Sequence, residues 1–171
     1  MMRMKLRFSE IPDEGLRLEI NDESWFPDHD LQRSGPVKSR VFLKRESDDR
    51  VLLEGEIKTV VSNYCDRCLE HYRMELGGKF KLDLEYVAGR MAEMAEHECS
   101  PSEMDMVYME EPEVDVFEIL CQQVFLLAPE KHVCSEECKG LCPSCGINLN
   151  TDSCDCKKDL KSSPFDVLKD L

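Results

Sequence analysis

Long apolar runs are missing from this 171-residue chain, and no stretch reaches the roughly 18 residues that a membrane-spanning helix needs. The glycine-rich nucleotide loops, the HExxH pattern of zinc proteases and the serine nucleophile elbow are missing too. Histidines number four and are scattered. We therefore expect neither a membrane protein nor an enzyme, and no small-molecule substrate.

A secretory signal is also missing at the start of the sequence. The segment MMRMKLRFSEI alternates basic and apolar residues and contains no apolar signal core. This predicts a cytoplasmic protein in which the ten cysteines stay reduced and bind metal. A disulfide framework is the alternative for a chain so rich in cysteine.

Basic residues are missing from one long segment. Between Met91 and Glu130 there are eleven acidic residues and no lysine or arginine, so this segment carries most of the net charge of −14. Its first part, residues 91–113, is either a solvated loop or an acidic arm that attracts a basic partner.

Alternating apolar and polar residues predict β-strands at residues 2–8, 16–20, 37–43, 50–62 and 79–86. Trp25 and Phe26 are expected to anchor the loop over residues 21–36. From residue 115 apolar residues recur every three or four positions, which predicts a helix over 115–128 with Asp115 as its N-cap. The predicted fold class is α+β: an antiparallel meandering sheet or partial β-barrel, one packing helix, and a C-terminal cysteine-rich zinc-binding segment.

We expect the chain to divide at residue 130. Residues 1–130 would form a β-rich body that includes the acidic segment 91–113 and the helix 115–128. Residues 131–171 would form a zinc-knuckle segment and a C-terminal tail, both packed on the body. The tail, SSPFDVLKDL, has the pattern of a short amphipathic helix.

Six cysteines lie within 23 residues near the C-terminus, with the spacing C-x3-C-x3-C-x2-C-x8-C-x-C. The central CPSCG is typical of a zinc knuckle, in which two thiolates three positions apart reach one tetrahedral ion and glycine permits a tight turn. A second pair, in YCDRCLE, lies upstream. The predicted metal ligands are these eight thiols: Cys65, Cys68, Cys134, Cys138, Cys142, Cys145, Cys154 and Cys156.

The number of bound ions stays open at this point. We expect at least one zinc ion, and eight thiols suffice for two sites of four thiolates each. The alternative is one site, with Cys65 and Cys68 left as reduced thiols. His132, two positions before Cys134, is an alternative ligand.

Several chemical roles can be weighed for these thiols. An all-cysteine set leaves no open coordination position, so the predicted zinc is structural rather than catalytic. Redox catalysis is not favoured, because neither CxxC pair begins a helix after a strand in a βαβ unit. The rival functional class is a zinc-ribbon adaptor that binds nucleic acid in transcription or RNA handling, with Lys139, Lys157 and Lys158 as its basic residues.

Several motifs together resemble one protein family. They are CDRCLE after a long strand, a mid-chain acidic stretch, a helix ending in LLAP, the block of six later cysteines and the ending SSPFDVLKDL. In these motifs the chain is similar to the bacterial and plastid large ribosomal RNA subunit accumulation proteins (YceD-like), over residues 51–171. Cys65, Arg67 and Cys68 match the first signature of the family, and the six later cysteines match the second.

The resemblance implies a non-enzymatic ribosome-biogenesis factor that supports the synthesis, processing or accumulation of 23S ribosomal RNA. Its partner would be a large-subunit ribosomal protein or a 23S rRNA precursor. One departure concerns the helix, which often carries a glutamate in the family where this chain has Gln122 and Gln123. No role that depends on that charge carries over to this chain.

The acidic charge of the chain bears on the choice of partner. Proteins that bind RNA are usually basic, whereas this one is strongly acidic. RNA would need a local basic face, for which the candidates are Lys38, Arg40, Lys44, Arg45, Lys79 and Lys81. A basic ribosomal protein would instead be attracted by the acidic segment, and electrostatic complementarity favours this second arrangement.

Overall fold

The computed structural model describes residues 3–29, 31–89 and 105–156. Within these ranges no helix is both long and apolar enough to cross a membrane. The tail SSPFDVLKDL and the first part of the acidic segment, residues 91–104, lie outside the described residues. The elements in chain order are β1 (Lys5–Arg7), a 3₁₀ helix (Phe8–Glu10), β2 (Leu16–Ile20), β3 (Lys38–Arg45), β4 (Arg50–Tyr64), β5 (His71–Tyr86), β6 (Met106–Met109), β7 (Glu113–Asp115) and α1 (Val116–Leu127).

The chain divides into two compact units. The first unit takes the described residues of Met1–Asn63 and Arg73–Glu130, and the second takes those of Tyr64–Tyr72 and Lys131–Leu171. The second unit therefore combines the turn between β4 and β5 with the cysteine-rich segment. The predicted division at residue 130, and the packing of the later segment on the body, remain predictions.

The first unit is mostly sheet with one α-helix among its described residues, which agrees with the predicted α+β class. Five strands lie side by side in the order β2-β3-β4-β5-β6. The β2–β3 and β3–β4 pairs are antiparallel, as predicted. Strands β1 and β7 form a separate antiparallel pair, in which Leu6 lies opposite Val114.

Strand β6 departs from the antiparallel arrangement, because it runs parallel to β5 with Leu84 opposite Val107. A parallel neighbour needs a long crossover connection, whereas an antiparallel neighbour can follow a short turn. Nineteen residues separate the end of β5 from the start of β6, which is enough chain for such a crossover. The sheet is therefore mixed, and part of the predicted acidic arm is a strand.

The core of the first unit is one cluster of buried apolar side chains to which the sheet, α1 and the loop before β3 all contribute. Leu43 and Leu53 face each other across β3 and β4, and both are fully buried. Close packing requires glycine at residue 55, because a Cβ there would collide with the ring of Phe80. Trp25 is fully buried, which confirms its predicted role as an anchor of the loop before β3.

The α1 helix begins as predicted. The carboxylate of Asp115 accepts hydrogen bonds from the backbone N–H groups of Phe117 at 3.1 Å and Glu118 at 3.4 Å, which caps the helix. The same Oδ1 atom accepts from the N–H of Met4 at 3.2 Å, so the cap also holds the chain next to β1. Phe117, Ile119, Leu120 and Val124 are among the residues by which the helix buries its apolar face.

Candidate metal centre

All eight predicted thiols come together in the second unit, in two groups of four. The first cluster comprises Cys65, Cys68, Cys134 and Cys138, and the second comprises Cys142, Cys145, Cys154 and Cys156. Within each cluster the sulfur atoms lie within 4.8 Å of one another, so each cluster could hold a metal ion. His132 belongs to neither cluster.

The sulfur spacing in the first cluster suits a tetrahedral ion. The Sγ atoms of Cys65 and Cys138 are 3.8 Å apart, and those of Cys68 and Cys134 are 3.7 Å apart. Four sulfurs about 2.3 Å from a zinc ion lie about 3.8 Å from one another. A disulfide bond would need a separation of about 2.05 Å, and none of the nine described cysteines forms one.

The first knuckle, residues 65–70, is a tight turn that follows β4. The N–H of Cys65 donates to the carbonyl of Glu70, and the N–H of Leu69 donates to the carbonyl of Cys65, both at 2.9 Å. This turn directs the thiols of Cys65 and Cys68 to one point.

The second knuckle, residues 142–147, repeats the same two hydrogen bonds. The N–H of Cys142 donates to the carbonyl of Ile147, and the N–H of Gly146 donates to the carbonyl of Cys142, both at 2.8 Å. The two knuckles thus have one backbone design, and Leu69 stands in the first where Gly146 stands in the second.

This shared position adopts a left-handed backbone conformation in both knuckles. Its φ is +60° at Leu69 and +74° at Gly146. Glycine takes this conformation freely, whereas a residue with a Cβ loses about 1–2 kcal/mol. Leu69 is the one non-glycine residue with such a φ in the described part of the chain.

The two residues between Cys65 and Cys68 hold the segment that supplies the other two thiols of the first cluster. The N–H of Asp66 donates to the carbonyl of His132, and the Asp66 carboxylate accepts from the N–H of His132, each at 2.7 Å. The Arg67 guanidinium donates to the carbonyls of Glu136 at 3.2 Å and Cys138 at 3.1 Å. These contacts place Cys134 and Cys138 against the first knuckle.

Further contacts support the first cluster from the chain around the second. The carbonyl of Arg67 accepts from the N–H of Leu141 at 3.0 Å, and a Cβ at Gly140 would lie only 2.9 Å from that oxygen. The Asn150 amide donates to the Sγ of Cys138 at 3.3 Å and accepts from the N–H of Lys139 at 2.8 Å. Since Asn150 lies between the ligands of the second cluster in sequence, it links the two clusters.

The electrostatics of the first cluster differ from thiol to thiol. Burial raises the pKa of Cys65, but hydrogen bonds from the N–H groups of Cys134, Cys68 and Arg67 outweigh burial and lower the pKa to about 6. Although the N–H of Glu70 lowers the pKa of Cys68, burial and the three neighbouring thiols raise it to about 12. A divalent cation among the four thiols would favour the ionised form of all of them.

The second cluster shows the same contrast. The backbone N–H groups of Cys145 and Ser144 lower the pKa of Cys142 to about 6. The thiols of Cys145 and Cys154 raise the pKa of Cys156 to about 12. Only Cys142 of this cluster is buried, whereas in the first cluster only Cys134 is exposed.

The chemistry of the donor set indicates which ions fit. Four thiolates are soft ligands that suit zinc, and a set of four closes the coordination sphere. Such a site stabilises a fold and leaves no position for a substrate or water. A metal ion in either cluster would therefore crosslink the chain and stabilise the second unit.

Sequence reasoning identified the thiols but missed most of the residues that orient them. Asp66 and Asn150 gave no signal beyond lying between two cysteines in sequence. Gly140 lies two residues after Cys138, where a glycine between ligands can mark a close backbone approach. The lysines proposed for a nucleic-acid adaptor fall partly outside the described residues, since only Lys139 of the three is described.

Comparisons with known proteins agree on one family. The family model described as "Large ribosomal RNA subunit accumulation protein YceD" matches residues 53–171. The chain is 27% identical over 177 residues to an Arabidopsis thaliana protein, "Large ribosomal RNA subunit accumulation protein YCED homolog 1, chloroplastic". The alignment covers 92% of this chain and 53% of the relative. A Zea mays protein of the same name is 27% identical over 130 residues, with 63% of this chain and 44% of the relative covered.

The chain spans about half the length of these curated relatives. No solved structure matches the chain. The matched region, residues 53–171, contains all eight clustered thiols and both knuckles.

Proposed function

The chain belongs to the large ribosomal RNA subunit accumulation protein (YceD) family, as its motifs predicted, and we propose that it is a non-enzymatic factor in ribosome biogenesis. It supports the accumulation of 23S rRNA in the cytoplasm. The observation that carries this proposal is the family match across residues 53–171, which includes both thiol clusters. Thiols clustered for metal binding favour a reducing compartment, where they are not oxidised to disulfides.

The proposal includes two structural zinc ions, one in each cluster. Sulfur separations of 3.7–3.8 Å in the first cluster support tetrahedral coordination. Zinc bound in this way supplies a positive charge that favours the ionised thiols and crosslinks the chain. Closed sets of four thiolates support a structural rather than a catalytic role.

The proposed partner is a basic protein of the large ribosomal subunit. The net charge of −14 favours a basic partner over an RNA precursor. Two members of the predicted basic face are already paired with carboxylates: Arg40 with Glu56 at 2.9 Å, and Arg45 with Asp13 at 2.8 Å. These pairs reduce the positive charge that the face could present to RNA.

Deletion of the gene tests the function. Cells without the chain should have a lower ratio of mature 23S to 16S rRNA, and the wild-type chain should restore it. The double variant Cys65→Ser, Cys68→Ser should not restore the ratio, whereas Cys121→Ser, which changes a thiol outside both clusters, should. An unchanged ratio in the deletion strain would refute the proposed function.

Capture from a lysate tests the partner. The zinc-loaded chain is immobilised and exposed to lysate in two halves, one treated with nuclease. Retention of large-subunit proteins after nuclease supports a protein partner. If everything leaves with the RNA, the chain contacts rRNA instead, and the adaptor class becomes the better description.

A further inference from the structure

The first knuckle carries an exposed apolar residue in a conformation that suits glycine. We propose that the first knuckle is a docking site for a basic protein segment, and that Leu69 is its apolar anchor. The inference rests on the proposed function, since it names the surface through which the chain would hold a basic ribosomal protein.

The two knuckles differ at the residue that adopts the left-handed conformation. Both have the same pair of backbone hydrogen bonds and a left-handed backbone conformation at the same position, yet only the second has glycine at that position. Leu69 strains the backbone and leaves 63% of its surface exposed. The apolar residues packed against the first cluster are Tyr72, Val133 and Leu141.

Leu69 is therefore costly to the knuckle and gains little from burial within it. An apolar side chain in this situation gains burial when a second molecule covers it. Strained residues of this kind cluster at ligand-binding sites. Both points favour an intermolecular role for Leu69.

The surroundings of Leu69 indicate the chemistry of the partner. Tyr64, directly before the knuckle, is 66% exposed, and its ring meets that of His71 at 5.3 Å in an edge-on arrangement. Asp66 and Glu70 within the knuckle are exposed as well. Exposed apolar and aromatic side chains with polar residues close by in sequence are usual at protein interfaces.

The charge of the second unit favours a basic occupant. Its described residues include six carboxylates, against three basic residues: Arg67, Lys131 and Lys139. The Arg67 guanidinium is bound to two backbone carbonyls, so part of this positive charge is already engaged. Lysines and arginines that flank an apolar residue would match this surface, whereas RNA phosphates would be repelled.

Two substitutions separate the apolar side chain from the backbone strain. Leu69→Gly copies the second knuckle and removes both, whereas Leu69→Ala removes the apolar side chain and keeps a Cβ in the left-handed conformation. Leu126→Ala is the matched control, because Leu126 is a leucine of α1 that is 75% exposed. The probes are RNA-free proteins extracted from the large ribosomal subunit and a 15-residue oligouridylate.

We expect the zinc-loaded wild-type chain and Leu126→Ala to bind the same basic ribosomal protein with equal affinity. Both Leu69 variants should bind it about tenfold more weakly, the usual loss when an interface anchor is truncated. The melting temperature of Leu69→Gly should equal or exceed that of the wild type, because the strain is removed. That combination separates lost binding from lost folding.

Several outcomes would overturn the inference. Unchanged binding by Leu69→Gly would remove Leu69 as the anchor and leave the proposed function standing. Oligouridylate binding that falls in the Leu69 variants would make the surface an RNA contact. Sedimentation of the wild type as a dimer that Leu69→Gly dissociates would make a second copy the occupant. If the wild type binds no ribosomal protein, the docking site is wrong, while the 23S to 16S ratio still decides the function.

Discussion

Each of the two units of the chain is stabilised internally by a different kind of interaction. The first has a cluster of buried apolar residues that extends in sequence from Phe8 to Val124. In the second unit, the buried members of the corresponding cluster are Cys65, Cys68 and Cys138. A small unit cannot bury enough apolar surface to fold alone, and metal ligation commonly compensates for that deficit. The comparison predicts that metal and apolar packing stabilise different parts of one chain.

Removal of metal should have the largest effect, and it should be confined to the second unit. Structural zinc contributes about 10–16 kcal/mol of apparent binding free energy in small zinc domains. A strong chelator should therefore abolish hydrogen-exchange protection at amides such as those of Cys142 and Gly146. Amides of β3 and β4 in the first unit should stay protected. Adding zinc back should restore protection in the second unit. Protection that persists in residues 131–156 without metal would break the comparison.

A cavity made in the core of the first unit should destabilise that unit and leave metal binding unchanged. Leu53→Ala removes most of a fully buried side chain, which should lower the free energy of unfolding by about 2–5 kcal/mol. The metal content should equal that of the wild type, as measured by elemental analysis beside urea denaturation. Leu126→Ala, at an exposed position, should change stability by less than about 0.5 kcal/mol. Loss of metal from Leu53→Ala would show that the units are not independent.

Loss of the hydrogen bonds by which Arg67 holds residues 136–138 against the first knuckle should have a smaller effect. Arg67→Gln removes the charged donor to the carbonyls of Glu136 and Cys138. Loss of a residue that orients metal ligands typically weakens metal binding about 10–100-fold, and competition with a chromophoric chelator measures it. Lys139→Gln removes one positive charge next to Cys138 and should bind metal as the wild type does. Equal metal affinity of the wild type, Arg67→Gln and Lys139→Gln would contradict this role of Arg67.

The helix cap should give the smallest change. Asp115→Ala removes the acceptor for three backbone N–H groups and should destabilise the first unit by about 1 kcal/mol. Asp115→Asn keeps an acceptor and should lose less. Thermal unfolding of the metal-loaded protein measures both, with metal affinity unchanged. A larger loss in Asp115→Asn than in Asp115→Ala would rule out the capping explanation.

Local patterns predicted much of the first unit. Alternation placed strands near β2, β3 and β4, and helical periodicity with Asp115 as cap placed α1. These elements follow from side chains that are neighbours in sequence. The parallel β6 was not predicted, because a short strand in an acidic segment has no strong alternation and its partner is distant in sequence.

The candidate site divides in the same way. Spacing alone indicated that CPSCG forms a knuckle, and the match between the two knuckles is visible once both turns are known. The roles of Arg67 and Asn150 were not predictable, because their contacts are with backbone and sulfur atoms reached only after the chain folds back. That Leu69 occupies the position of Gly146 also required both turns to be seen.

By itself the sequence identified the eight thiols that cluster and the family. These depend on residue identity and on short spacings, which geometry restricts strongly. Only the tertiary structure decided that Cys65 and Cys68 join Cys134 and Cys138, while Cys142, Cys145, Cys154 and Cys156 form the second cluster. Eight thiols can be divided into two groups of four in many ways. The division depends on which distant segments the folded backbone brings together, so that four sulfur atoms lie close enough to share one tetrahedral ion.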